Sequence, residues 1–328
     1  MKSFFLTMIL STVIVLTGCT GQSPKDTFEK DSLVQCGDVA SRGHLNVLSI
    51  NLLFSETKTR DQRLDAIAEF SKTHSVDVIL MQEVAGGILA KTANSALNLQ
   101  GKLRDQGGEY DLHSAFEVGL PGLLTLANAT LSRCDIDFKM VKQLPKTSEL
   151  EFEKHDIRIP RNIMMTRLTI PDLGKLNVYN THLCAKCSAD EMNSQLDVML
   201  EFIDDVEDFF PQNNPVILGG DFNIDRLRTE PFAEKPFYDR IIAADFTDAY
   251  AEGRILDDLC SNTQAADTHC TVGVSNLDIG DSARRVDYIF VNNVENVRES
   301  RVVFNTLVDP SQPTTSDHAG VFVSIDLP

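Results

Sequence analysis

Along this chain, runs of β-forming apolar residues repeatedly stop at a side chain that carries oxygen or imidazole nitrogen. Val47-Leu48-Ser49-Ile50 stops at Asn51, Val78-Ile79-Leu80-Met81-Gln82 at Glu83, and Leu176-Asn177-Val178-Tyr179-Asn180-Thr181 at His182. Val216-Ile217-Leu218-Gly219-Gly220 leads into Asp221 and Asn223, and Asp317-His318 stands directly before the last apolar run. One polar residue at the end of a strand is ordinarily a turn former. Repetition changes the meaning, because loops at strand ends converge on one rim of a sheet, where binding and catalytic groups gather.

The intervals between these runs set the architecture. Leu45–Asn51 alternates and reads as a strand, Arg60 to His74 places Leu64, Ile67, Ala68 and Ser71 on one helical face, and Val76 to Met81 is again a buried strand. Ser188-Ala189-Asp190-Glu191 is a capping box, and behind it Met192, Leu196, Met199, Leu200, Ile203 and Val206 form an apolar stripe that ends at Pro211. A short buried strand, Pro215 to Leu218, follows that helix. Ile163–Ile170, Lys175–Thr181, Val286–Val291 and Gly320–Ile325 are further strands, several too close together for an intervening helix. Such neighbours pair antiparallel, so mixed sheets with helices packed outside are predicted.

The first residues belong to export. Met1-Lys2 precedes an apolar run, Phe4 to Leu16, too short to span a bilayer and remain there. It ends in Leu16-Thr17-Gly18-Cys19, which resembles the lipobox of bacterial lipoproteins. The predicted organisation is a signal peptide over 1–18, a lipidated Cys19 with a polar tether over 19–44, and one α/β domain over 45–328. The domain would be exported and lipid-anchored to a bacterial membrane, facing periplasm or exterior, and is expected to be a monomer. With 42% hydrophobic residues the chain can bury a large core, so disorder is confined to the tether. Setting Cys19 aside leaves Cys36, Cys134, Cys184, Cys187, Cys260 and Cys270, an even set that suits disulfides in an exported chain. The local pairs Cys260 with Cys270 and Cys184 with Cys187 are preferred. The second pair is a Cys-x-x-Cys just after His182, for which zinc binding or redox chemistry is the competing reading.

Ser49-Ile50-Asn51, Leu80-Met81-Gln82-Glu83, Asn180-Thr181-His182-Leu183, Gly220-Asp221-Phe222-Asn223, Arg285-Val286-Asp287-Tyr288-Ile289-Phe290 and Ser316-Asp317-His318 occur in this order from Leu45 to about Leu327. The series resembles the endonuclease/exonuclease/phosphatase superfamily. That resemblance implies a four-layer α/β sandwich, two mixed β-sheets flanked by helices, and a phosphoric ester hydrolase using Mg²⁺ or Mn²⁺.

It also implies roles. Glu83 would be the direct metal ligand, with Asn51 and Asp317 in its first or second coordination shell, since magnesium takes oxygen ligands and keeps several waters. Asp221 and Asn223 would orient the attacking water and the scissile phosphate. His318 paired with Asp287 would form a carboxylate-oriented imidazole, and His182 would contact the phosphate or protonate the leaving group. Either Asp221 or His318 could take the proton. Arg161, in Ile159-Pro160-Arg161-Asn162, matches a phosphate-contacting arginine of deoxyribonuclease-like members; its other reading is a solvated strand-end arginine. His44, His74, His113, His155 and His269 match no motif.

Substrate is less constrained. The formal net charge of -18 argues against tight non-specific binding to a phosphate backbone, yet metal can supply the positive charge that turnover needs. Nucleic acid is preferred over a sphingomyelin, phospholipid or inositol-phosphate substrate, because the chain has no Trp and Tyr288 to Ser316 holds no aromatic hairpin for interfacial insertion. Contact with the membrane is then through the lipid anchor only. A binding lipoprotein without catalysis is the third reading.

Overall fold

A short helix, α1 (Gly37–Arg42), and the strand β1 (His44–Asn51) open the part of the chain that the computed structural model describes: residues 36–152, 155–210, 213–256, 259–260, 269–277 and 283–328. The signal peptide, Cys19 and the tether as far as 35 lie outside the described residues. The segment 36–44, read as the end of the tether, is folded: Cys36 is disulfide-bonded to Cys134 and α1 packs beside β1. Among the described residues no helix is long and apolar enough to cross a membrane.

After β1 come α2 (Arg60–Thr73), β2 (Val78–Gly86), α3 (Ser95–Asp105), β3 (Asp111–Leu120), β4 (Leu124–Ser132) and β5 (Asp135–Gln143). A small hairpin, β6 (Thr147–Phe152) and β7 (His155–Ile159), leads to β8 (Asn162–Ile170), β9 (Gly174–His182), α4 (Ala189–Phe209) and β10 (Val216–Asp221). The chain closes with α5 (Lys235–Ala243), β11 (Thr247–Asp248), β12 (Asp287–Asn292), β13 (Asn296–Val303) and β14 (Gly320–Asp326).

Two six-stranded sheets result, in the orders β13-β14-β1-β2-β4-β3 and β11-β12-β10-β9-β8-β5. Each has one parallel pair at its centre, β1 with β2 and β9 with β10, and antiparallel neighbours elsewhere. The parallel pairs are the ones joined through a helix, α2 and α4, because a chain must cross the sheet to re-enter it in the same direction. Helix α4 starts with the reciprocal Ser188–Glu191 capping box that its sequence predicts.

Three apolar layers hold the stack together. Ile67, Leu99, Leu103 and Phe322 pack α2 and α3 on the outer face of the first sheet. Val47, Leu80, Val178, Ile217, Ile289 and Val323 fill the space between the sheets. Leu196, Met199, Ile203, Leu218 and Phe290 seat α4 and α5 on the second sheet. Helices, sheet, sheet, helices: this is the four-layer sandwich expected from the sequence.

The strand boundaries differ from the sequence reading in one place that matters. Glu83 does not end β2; the strand continues to Gly86, and Glu83 sits at a β-bulge between Met81 and Val84 with φ 55°. A bulge inserts one unpaired residue and re-aims its side chain. All three disulfides, Cys36–Cys134, Cys184–Cys187 and Cys260–Cys270, are formed, so the Cys-x-x-Cys is a closed loop and not a zinc site.

At the end of β10, Gly220 has φ 145°, and a Cβ there would overlap the Thr181 carbonyl oxygen on β9. Gly220→Ala is expected to cost about 2–4 kcal/mol, read as a fall of about 5–10 °C in the melting temperature. An unchanged melt would mean that the backbone at this position relaxes freely.

Candidate active site

The two parallel strand pairs bring their C-terminal ends to the same rim, and the antiparallel strands β12 and β14 start there. Asn51 (end of β1), His182 (end of β9), Asp221 (end of β10), Asp287 (start of β12) and His318 (just before β14) therefore meet, although they are scattered over the sequence. In register Asp221 stands opposite His182 on one side and Asp287 on the other.

Asp221 is at the centre. Its Oδ1 accepts the Asn223 amide at 3.0 Å, and its Oδ2 accepts the Asn51 side-chain amide at 3.2 Å. The same Oδ2 lies 3.4 Å from His182 Nε2 and 3.8 Å from His318 Nε2. His318 Nδ1 faces both Asp287 oxygens, at 3.1 and 2.9 Å, and Asp287 is held through its amide by the Thr271 hydroxyl. Asp221, Asp287 and His318 thus form one cluster whose ligand atoms lie within 4.8 Å of one another.

Burial and charge set the protonation states. Burial pushes the Asp221 carboxyl up to about 7, His318 pulling it back and Asp287 raising it further. Burial opposes charge on His318 as well, but Asp287 and Asp221 outweigh it and hold the imidazole well above its usual range. His318 is therefore an imidazolium at neutral pH. His182 is the opposite case: burial, then the nearby Arg161 and His318 cations, hold it well below the usual range. A guanidinium has only donors. Arg161 Nη1, 3.0 Å from His182 Nδ1, therefore donates to it, leaving the single ring proton on Nε2, toward Asp221.

Arg161 is 7% exposed, which removes the solvated strand-end reading. Its Nε and Nη2 donate to Glu149 at 3.1 and 2.8 Å, and Glu117 is 3.5 Å from Nη1. Two carboxylates and a histidine thus hold this arginine beside His182. Glu117 and Glu149 did not emerge from the sequence. An acid inside Ala115-Phe116-Glu117-Val118 was the available signal for the first; Glu149 had none, because in Glu149-Leu150-Glu151-Phe152 it stands at a position that alternation assigns to a polar face. Burial pushes Glu117 up to about 7, partly offset by Arg161, with Glu83 nearby raising it.

The expected metal residues lie to one side of the cluster. Glu83 Oε2 accepts the Phe54 amide at 3.0 Å, in the loop that follows Asn51, whose own Oδ1 accepts the Leu53 amide at 3.0 Å. Arg63 ties that loop to the Asp317 segment, donating to the Leu52 and Thr315 carbonyls at 2.9 and 2.8 Å. Asp317 is near enough to Arg63 and His318 to act on both electrostatically. Asn223, at φ 52°, donates its side-chain amide to the Leu183 carbonyl at 3.1 Å. The rim thus carries the histidine–carboxylate chain around Asp221 and, on the strand ends and loops that flank it, the side-chain oxygens of Asn51, Glu83 and Asp317.

A family model described as the endonuclease/exonuclease/phosphatase family matches residues 44–318. Among solved structures, an endonuclease/exonuclease/phosphatase family protein from Leptotrichia buccalis is 22% identical, covering 86% of this chain and 99% of its own, with a TM-score of 0.61. A mannosyl-6-phosphatase from Bacteroides thetaiotaomicron is 19% identical over 86% of this chain and 99% of its own, with a TM-score of 0.59. TDP2 from Caenorhabditis elegans is 15% identical over 86% of this chain and 74% of its own, with a TM-score of 0.55. At these identities the likeness is one of fold. No curated protein matches the chain.

The two histidines should be distinguishable by ¹⁵N NMR of their rings. His318 is expected to be doubly protonated and His182 neutral with its proton on Nε2 at neutral pH. Asp287→Asn should lower the His318 pKa by about 1–3 units and leave the His182 signals in place. Signals showing both rings titrating together near pH 6.5 would contradict the charge assignment.

Proposed function

The chain belongs to the endonuclease/exonuclease/phosphatase family, and from that membership we propose that it is a divalent-metal-dependent phosphodiester hydrolase that uses Asp221 as its base. The observation that carries the reading is the single Asp221 Oδ2 facing two imidazoles of opposite protonation state. A carboxylate with its pKa near working pH is suited to take a proton from water. His318, held by Asp287, carries the proton available to the leaving oxygen. His182 offers its Nε2–H to a phosphate oxygen. The depressed basicity of His182 turns the sequence expectation of two alternative roles toward the contact role.

The flank formed by Asn51, Glu83 and Asp317 fits Mg²⁺ or Mn²⁺, because it offers carboxylate and amide oxygens to a hard cation. The Asp221–Asp287–His318 cluster fits less well, since its imidazolium already balances its carboxylates. When bound, the metal would neutralise the non-bridging oxygens of the ester. Attachment to a membrane through Cys19 is part of the same reading and rests on the lipobox-like sequence.

Two substrate classes compete. The nuclease assignment draws support from His182 and His318 together and from the exposed rim lysines Lys58, Lys91, Lys146 and Lys186. A lipid phosphodiester draws support from apolar loops beside the site. Between Tyr288 and Ser316, Phe290 and Phe304 are buried in the core, so the exposed apolar loops lie elsewhere on the rim or are aliphatic.

Hydrolysis of bis(p-nitrophenyl) phosphate is expected to require Mg²⁺ or Mn²⁺ and to stop in EDTA. The base works deprotonated, so kcat should rise with pH through an ionisation near 7 and fall again when the raised His318 loses its proton. Asp221→Asn should lower kcat by about 10²–10⁴-fold with an unchanged melt. Full activity in chelator would remove the metal; a small effect of Asp221→Asn would remove the base. Plasmid cleavage, if this is a nuclease, should be distributive and be lost as salt rises.

A further inference from the structure

Beyond Glu83, β2 runs on to Gly86 and into a loop, residues 87–92, that stands above the rim. This loop is bonded to the turn between β3 and β4: the Ile88 amide donates to the Gly122 carbonyl at 3.1 Å and the Leu89 amide to the Leu123 carbonyl at 2.9 Å. Two tight loops are thereby fused into one projection. Its side chains are apolar and in solvent: Ile88 is 79% exposed, Leu89 59%, Leu120 65% and Leu123 45%. On the far flank of the same rim, in the loop from β13 to β14 just before Asp317, Leu307 and Val308 are exposed as well. Scattered exposed leucines need no explanation; a cluster at loop tips beside a reactive rim does.

Charge selects the occupant. In a chain with 48 acidic residues, neither 84–98 nor 118–130 contains an Asp or Glu, and Lys91 is the one charged residue in the two segments. The protein's general repulsion from phosphate-bearing surfaces is locally switched off there. Lys91 is exposed at the tip, where its stem can lie among apolar groups while its ammonium reaches headgroup oxygens. These side chains stand at two loop tips with about half or more of their surface in solvent, an arrangement suited to entering a soft surface. We propose that these loops dock the rim on a zwitterionic phospholipid bilayer, so that the site meets phosphodiester headgroups at the lipid surface. This rests on the hydrolase reading for its substrate but not for its binding.

The test uses Leu33–Pro328, which forms a compact unit carrying both sheets and all three disulfides. Flotation is measured in EDTA, without turnover, with vesicles of phosphatidylcholine alone and of phosphatidylcholine with phosphatidylglycerol. The protein is expected to float with both, and to keep doing so as salt is raised. The triple variant Ile88→Ser, Leu89→Ser, Leu120→Ser should reduce the bound fraction by about tenfold. Its melt and its rate on bis(p-nitrophenyl) phosphate should not change, since none of the three touches the site. The proposal is overturned if the protein stays soluble with both vesicles or if the variant floats undiminished. It is equally overturned if sedimentation shows a dimer that the variant dissociates, which would assign the patch to a second copy. Flotation without hydrolysis of any ester would leave the docking standing and remove the hydrolase reading.

Discussion

The site exists because two sheets are held in one register, and a polar seam inside an otherwise apolar interface does the holding. Asn180 on β9 accepts from the Gln82 side chain at 2.8 Å and donates to the Met81 and Ala129 carbonyls of the opposite sheet at 3.1 and 2.9 Å. Asn128 reaches Asn162 Oδ1 at 3.1 Å, and Asn51 reaches Asp221 at 3.2 Å. Aliphatic side chains between sheets specify a separation but tolerate sliding. A buried amide left unpaired costs about 1–3 kcal/mol, so each of these bonds penalises a slip in either direction. Asn180, to which the sequence assigned no role of its own, is the clasp that aligns the two halves of the rim.

That alignment explains how the reactive groups can be distributed over both sheets. The first sheet supplies Asn51, Glu83 and His318; the second supplies His182, Asp221 and Asp287. Neither sheet alone carries a base, its orienting partner and a cation-binding flank. The Glu83 bulge has the same logic: the inserted residue lets Gln82 face the seam between the sheets and Val84 the outer core, which regular alternation would put on one face, and Glu83 between them reaches the Phe54 amide.

How much of this was legible depended on whether the determining contact was local. The strand-helix-strand units and the α4 capping box were readable, since both rest on short-range periodicity. The sandwich itself was expected from the motif series. The edge strands β5 and β13 were not, because they are largely exposed and lack an inward face to mark them. Arg161 could not be decided from sequence for a different reason: its environment is made by Glu117, 44 residues earlier, and by Glu149, 12 residues earlier. Whether it is solvated or locked is a tertiary fact. The apolar projection has no sequence signature, because its halves, around residues 88 and 122, are joined only by the backbone bonds from Ile88 and Leu89 to Gly122 and Leu123.

The protonation pattern follows from the order in which these groups stand. Glu149, Arg161, His182, Asp221, His318 and Asp287 form a chain, with each member facing the next at 2.8 to 3.8 Å. Arg161 is compensated by Glu149 and Glu117, and His318 by Asp287 and Asp221. Two cations are thus each set between two carboxylates, with neutral His182 between the groups. A buried charge persists only when paired, so the carboxylates behind Arg161 and His318 are what permit those cations to be buried. Asp221 is shared between the two halves, and its burial among groups already satisfied keeps its proton affinity near neutrality. Basicity here is a property of the whole row. It arises because the strongest local charges cancel pairwise and leave Asp221 Oδ2 shared between the two histidines and the Asn51 amide.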